Sequence, residues 1–161
     1  MGILSGKRGI IFVALDENSI AWKVALEAKK EGAIFTLSNA PVALRLGTIN
    51  ELATLCQSVV IPADATNTDD LDKLFDQSIA ELGGKIDFIL HSIGMSPNVR
   101  KEKPYTNLNY DFYLKSLDIS ALSLHKILQV AYQKDAINEY GSVVALSYIA
   151  AQRAFPFYGD M

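Results

Sequence analysis

The 161-residue sequence predicts an α/β fold, a doubly wound parallel sheet, and three observations lead there. Its strand candidates are continuously apolar rather than alternating, the pattern of strands buried on both faces. Helical patterns separate them, so the connections read as βαβ units. No internal repeat, low-complexity tract or linker interrupts the alternation. One domain over residues 1–161 is expected, since domains run to roughly 150 residues.

Each element has its own justification. Residues 9–14 are a short apolar run rich in β-branched side chains, a first strand. Residues 20–31 follow as a helix with Ile20, Val24 and Ala28 on one stripe, Ser19 as its N-cap and Gly32 as its stop. Residues 33–37 form the second strand and 49–56 a short helix. Residues 59–62 read as a third strand that stops at Pro62. Residues 68–82 are helical through Leu71, Leu74, Ile79 and Leu82, and Asp69 and Asp70 suit the positive end of that helix. A fourth strand at 86–90, a long helix at 111–132 and a fifth strand at 142–146 complete the pattern.

Composition narrows the function classes. Half the residues are hydrophobic and a fifth are charged, which excludes disorder. Fifteen basic against eighteen acidic residues leave a net charge of -3, no electrostatic footprint for nucleic acid or an anionic membrane. The single cysteine, Cys56, has no partner for an internal disulfide, so a reducing cytoplasm is the expected compartment. No apolar run approaches the roughly 20 residues of a membrane span. The stretch 1–8 is too short in apolar residues for a signal peptide.

In a Rossmann-type sheet, ligands sit outside the carboxyl ends of the strands, near the point where the strand order reverses. The stretches 14–19, 37–40, 64–65, 91–94 and 146–148 each follow a strand and together make one rim. The first turn departs from the G-x-G-x-x-G dinucleotide fingerprint, because residues 12–21 hold no glycine. A longer loop ending in Ser19-Ile20 can still aim helix N-terminal amides at a phosphate. An ordinary strand–loop–helix connection with no ligand stays open on this segment alone.

A set of motifs runs through the whole chain: Leu4-Ser5-Gly6-Lys7-Arg8, Ser19-Ile20-Ala21, Asp64, His91-Ser92-Ile93-Gly94, Asp118-Ile119-Ser120, Leu146-Ser147-Tyr148 and Arg153-Ala154-Phe155-Pro156-Phe157-Tyr158. In order and spacing the set resembles the bacterial enoyl-acyl carrier protein reductases, the divergent branch of the short-chain dehydrogenase/reductase superfamily. Each piece alone is weak, whereas the ordered set is specific. The resemblance implies a cofactor site of Ser19, Ile20, Asp64, Ala65, Ser92, Ile93, Gly94 and Ile119. Asp64 suits a hydrogen bond from an adenine amino group, with a cap on the approaching helix as its alternative. Gly94 lets backbone approach a cofactor, with a simple strand-end turn as its alternative. The family usually has glycine where Val13 stands, a departure expected to weaken cofactor binding.

Cofactor choice is read after the second strand, where an acidic residue marks NAD and an arginine NADP. The chain has Ser38-Asn39-Ala40-Pro41 there, with Arg45 some way on. The family more often uses NADH, so NAD is the expectation, with NADP left open.

The tyrosines carry the implied reaction. Where an ordinary ketoreductase of the superfamily has its serine, this chain has Tyr148, and in the tyrosine slot it has Met161. The active tyrosine stands earlier, at Tyr158, a pattern that resembles enoyl reductases and argues against carbonyl reduction. By resemblance, hydride passes to the β-carbon of a trans-2-enoyl thioester carried on acyl carrier protein. A tyrosine, with an ordinary pKa of about 10, then donates a hydrogen bond to the thioester oxygen as negative charge develops. Tyr158 takes that role and Tyr148 shapes the pocket. Met95 and Pro97 either line the acyl pocket or pack the loop. A carbonyl reductase and a non-catalytic, truncated dinucleotide-binding module are the alternatives.

The remaining residues carry less. His91 and His125 have no metal-ligand neighbours at suitable spacing, so no metal is expected. His125 reads as a packing or interface residue, Cys56 as a buried inert thiol, and 101–103 as a solvated turn. Ile119, Leu122, Leu124, Ile127, Leu128 and Val130 spread round the long helix, and the family pairs that helix across a two-fold axis, so a homotetramer is implied. The family's catalytic lysine, its last strands and its substrate lid lie beyond the stretch that this chain matches. An N-terminal portion, inactive by itself and with an exposed fifth strand, is therefore expected.

Overall fold

The computed structural model describes residues 2–45 and 48–161, and its sheet is parallel throughout. Strands β1 (Arg8–Phe12), β2 (Ile34–Ser38), β3 (Ile86–His91) and β4 (Ile137–Ala145) stand in the order β2-β1-β3-β4. The chain leaves β1 to one side for β2 and returns to the other side for β3, which puts the reversal of order between β1 and β3. The expected doubly wound Rossmann-type sheet is present.

Alternation along β1 explains the two layers. Ile10 and Phe12 face α3 (Thr68–Leu82) and α6 (Ser123–Gln133) through Leu71, Leu74, Phe75, Ile127 and Val130. Ile11 faces α1 (Ile20–Lys30) and α2 (Ile49–Cys56) through Ala21, Ala25, Ile49 and Leu52. All three side chains are buried, and burial of such a side chain is worth about 1.5–3 kcal/mol. Gly9 is required because a Cβ there would overlap the ring of Phe88 on β3. On β2, Thr36 is buried and its hydroxyl pairs with Ser78 Oγ of α3 at 2.8 Å.

Four elements differ from the sequence expectation. The buried face of α1 is Ala21, Trp22, Ala25 and Ala28, while Ile20 is exposed at its first turn. The stretch 59–62 makes a single parallel bridge, Val60 with Leu37, instead of a strand. Bonds from Leu37 N to Val59 O and from Ile61 N to Leu37 O, each 2.9 Å, join it to the end of β2, and Ala63 N donates to Asn39 O at 3.1 Å just beyond. The long helix is three pieces: α5 (Tyr110–Leu117), a π-helical turn (Asp118–Leu122) and α6. β4 begins earlier than expected, with a bulge that sets residues 138–141 against Asp87 alone. The bulge carries Tyr140 in a left-handed conformation (φ 63°). Among the described residues β4 pairs with β3 only, and Val144 is 51% exposed. No helix among them is long and apolar enough to cross a membrane.

Candidate functional site

The carboxyl ends of the strands bring the singled-out residues to one edge of the sheet. At the end of β1, Val13 is left-handed (φ 59°) and its N–H donates to Ser38 O at 2.8 Å. A glycine takes that conformation freely, whereas a β-branched residue is strained in it. Ser19 caps α1 as expected: its hydroxyl accepts from Trp22 N at 3.3 Å and donates to Asp16 O at 2.8 Å. The first amides of α1, at Ile20 and Ala21, have no intrahelical carbonyl, as in any first turn.

The end of β2 holds two unsatisfied groups. Ser38 and Asn39 are buried, yet Ser38 Oγ and Asn39 Nδ2 have no hydrogen-bond partner among the described residues. Asn39 Oδ1 accepts from Ala40 N at 2.9 Å, which fixes the amide group and aims its donor end. Buried polar atoms are usually paired, so an unpaired pair at a ligand rim points to a ligand.

Asp64 follows the Val60 bridge. Its Oδ1 accepts from Thr66 N at 2.9 Å and Thr66 Oγ1 at 2.8 Å, an Asx turn that orders the approach to α3. The cap of α3 is Asn67, accepting from Asp69 N and Asp70 N, and not Asp64. Ala65 next to it is buried against α3. Lys126 Nζ then reaches Thr66 O at 2.9 Å and Asp118 Oδ1 at 2.6 Å, tying this turn to the π turn that carries Ile119.

Beyond β3, His91 is buried and its Nε2 lies 2.8 Å from Ser123 Oγ. Ser123 gives its proton to Ile119 O at 2.6 Å, so it accepts from His91. Burial holds the His91 imidazole below its ordinary pKa, in the neutral form. Ser92 and Ile93 are half-buried, Ile93 packing on the core beneath α3 and α6. Gly94 is exposed, and a Cβ there would lie 3.6 Å from Met161 Cε. Met95 is clamped through its backbone: Ser120 Oγ accepts from its N–H at 2.9 Å and donates to its carbonyl at 3.1 Å. The residue that makes this clamp, Ser120, lies within the π turn.

After β4 the chain forms a turn (Ile149–Ala151) and brings Tyr148 and Tyr158 together, ring centroids 6.0 Å apart at 57°. Phe155 packs edge-on to Tyr158 at 6.5 Å. Burial, then the neighbouring Tyr158 and Asp160, push the Tyr148 phenol above its ordinary pKa, so it stays protonated at neutral pH. Cys56 is buried, and burial raises its thiol pKa despite nearby Lys29. His125 is exposed.

Sequence reasoning missed Lys126 and Asp160, and named Ser38, Asn39 and Ser120 only as parts of a stretch or motif. The position of Ser38 and Asn39 directly after a strand was the available signal. Nothing in a periodicity distinguishes Ser120 or Lys126 from other polar helix residues.

Residues 14–161 match the sequence profile of the family described as Enoyl-(Acyl carrier protein) reductase. The chain is 32% identical over 162 residues to the enoyl-[acyl-carrier-protein] reductase [NADH] FabI of Rickettsia bellii, covering 99% of this chain and 60% of that protein. It is likewise 32% identical over 168 residues to the Salmonella typhimurium FabI, of which it covers 61%. Among solved structures, FabI from Alistipes finegoldii superposes with a TM-score of 0.94 at 59% identity, over 98% of this chain and 60% of that one. Its NADH complex gives a TM-score of 0.95 at 58% identity, over 98% of this chain and 56% of that one. The chain thus spans about 60% of the length of the curated relatives it matches. With its parallel sheet, its rim and its paired tyrosines, the chain belongs to the enoyl-(acyl carrier protein) reductase family.

Proposed function

We propose that this chain supplies the cofactor rim and the reacting tyrosines of a cytoplasmic, NADH-dependent enoyl-acyl carrier protein reductase, which saturates trans-2-enoyl thioesters during fatty-acid elongation. The observation that carries the reading is the Tyr148–Tyr158 pair at 6.0 Å, on the rim beyond β4. The donor set also fits a dinucleotide. Amides at the start of α1 suit a diphosphate. The unpaired Ser38 Oγ and Asn39 Nδ2 are hydroxyl and amide groups of the kind that pair with ribose hydroxyls. The second oxygen of Asp64 is left over from the Asx turn for an adenine amino group. Ser92, Ile93, Gly94 and Ile119 would face the nicotinamide half of the rim.

NADH, when bound, supplies a hydride to the β-carbon of the enoyl thioester. Tyr158 donates a hydrogen bond to the thioester oxygen as charge builds there, an interaction stronger in the transition state than in the ground state. Tyr148, held neutral by its surroundings, keeps the neighbouring wall of the pocket uncharged. Pro104, Tyr105, Phe155 and Phe157 line an apolar recess beside Tyr158 that suits an acyl chain, and Met95 is anchored at the opposite loop. Carbonyl reduction is disfavoured by Tyr148 in the serine slot and Met161 in the tyrosine slot.

The test follows NADH absorbance with crotonyl thioester and, separately, a ketoacyl thioester. The protein at its full natural length should consume NADH with the enoyl substrate only. A polypeptide limited to these 161 residues has no lysine after Lys134 and should turn over slower by many orders of magnitude, because positioning and preorganised electrostatics are each worth several kcal/mol. Tyr158→Phe at full length should lower turnover more than NADH affinity. Oxidation that depends on the ketoacyl substrate instead would overturn the reading.

A further inference from the structure

Asp160 stands two residues after Tyr158, and its carboxylate is received by three side chains that are themselves almost fully buried. Its Oδ1 accepts from Ser96 Oγ at 2.7 Å, and its Oδ2 accepts from Asn98 Nδ2 at 2.8 Å and Ser116 Oγ at 3.0 Å. Ser96, Asn98 and Ser116 are 2%, 0% and 1% exposed. Each is already fixed by its own backbone contacts. Ser96 caps the short helix α4 (Pro97–Arg100) by accepting from Val99 N at 3.0 Å. Asn98 exchanges two 3.0 Å bonds with the backbone of Asn109, and Ser116 shares its one hydroxyl proton between Phe112 O at 2.8 Å and Asp160 Oδ2. The receptor is thus built by the chain between 96 and 116 and waits for an acceptor.

The segment it receives has little else to hold it. Phe155, Phe157 and Tyr158 are each more than 40% exposed, so apolar burial contributes little to their placement. Phe157 is also left-handed (φ 65°), a strained state for a bulky residue that persists only where the surroundings impose it. Gly159 fits closely, since a Cβ there would lie 3.0 Å from Tyr105 Cδ2 and 3.2 Å from Leu108 Cδ1. The three side-chain hydrogen bonds at Asp160 are the polar ties that seat this stretch.

We propose that Asp160 is a positioning residue: seated in the Ser96–Asn98–Ser116 receptor, its carboxylate sets where the Tyr158 ring stands against Tyr148 on the rim. The proposal rests on the reading of Tyr158 as the reacting tyrosine. What it needs is shape and acceptor geometry rather than charge. An asparagine keeps the shape and two of the three acceptor contacts: its Oδ1 can accept from Asn98 and Ser116, while its Nδ2 donates to Ser96 Oγ, whose own proton then loses its acceptor.

The test compares wild type, Asp160→Ala and Asp160→Asn in the protein at its full natural length. Three quantities are measured: kcat with crotonyl thioester, NADH Kd by fluorescence, and the rate of chymotryptic cleavage at 155–158. Asp160→Ala should lower kcat about tenfold or more and speed cleavage about tenfold, with NADH Kd changed by less than about twofold. Asp160→Asn should restore most of both losses. A folded Asp160→Ala variant with wild-type kcat and cleavage overturns the proposal, as does an Asp160→Asn variant no better than alanine. If Asp160→Ala does not fold, Ser116→Ala removes one of the three donors and should move cleavage in the same direction by less; an unchanged rate counts against the proposal. Should wild type itself fail to use enoyl thioester, the functional reading falls, and the cleavage rates still decide whether Asp160 holds the segment.

Discussion

Val13 is the residue where resemblance and backbone meet. Glycine is usual there, and φ 59° shows the physical need for it: the turn after β1 is left-handed, a conformation that costs an L-residue about 1–2 kcal/mol. The bond from Val13 N to Ser38 O keeps the turn in place regardless. Val13→Gly should relieve that strain and leave a net gain of about 1 kcal/mol or less, because glycine also frees the unfolded chain. It should tighten NADH binding by up to about tenfold, or roughly 1.4 kcal/mol. Urea unfolding and NADH fluorescence titration check the two effects. Unchanged or weaker binding by the folded variant would mean that the Val13 backbone does not approach the cofactor. The departure from glycine was legible in the letters; the unpaired Ser38 and Asn39 were not, because a missing partner is a property of packing.

Elements were legible in proportion to how local their causes are. The boundaries of α2 and α3 fell where their patterns placed them, and Ser19 caps α1. The stretch 59–62 shrank to one bridge, and the long helix acquired a π turn whose Ser120 meets a loop 25 residues away. The same helix is tied to β3 by the His91–Ser123 bond. Folding favours neutral His91, whose pKa burial depresses, whereas the unfolded chain takes up the proton near 6.5. The stabilisation is therefore present above pH 6.5 and is lost as pH falls through the lower folded value. Urea midpoints should drop for wild type between about pH 7.5 and about pH 5, and drop less for His91→Asn. Equal slopes would show that His91 is not the group being titrated.

At the scale of the whole molecule, the outer side of α5 and α6 is apolar and uncovered. Leu114, Leu117, Leu122 and Leu128 are 64%, 45%, 46% and 38% exposed, large apolar side chains left uncovered along these helices. A second copy across a two-fold axis would cover such a face with the same face, and two such axes would give the tetramer that the family resemblance implies. Light scattering at full length should give the tetramer mass, and Leu122→Glu should lower it. A monomeric mass for wild type would count against the assembly.

Apart from the stretch 59–62, the alternation of strands and helices followed from the letters alone, because runs of Ile, Val and Phe must be buried and their spacing shows whether one face or two is covered. Tyr148 and Tyr158 were likewise visible as a displaced tyrosine pattern. Their meeting at 6.0 Å, the seat of Asp160 among Ser96, Asn98 and Ser116, and the two unpaired groups after β2 were settled by tertiary structure. Each joins or exposes polar groups that chain distance separates, and a hydrogen bond between distant residues leaves no period in the sequence that makes it.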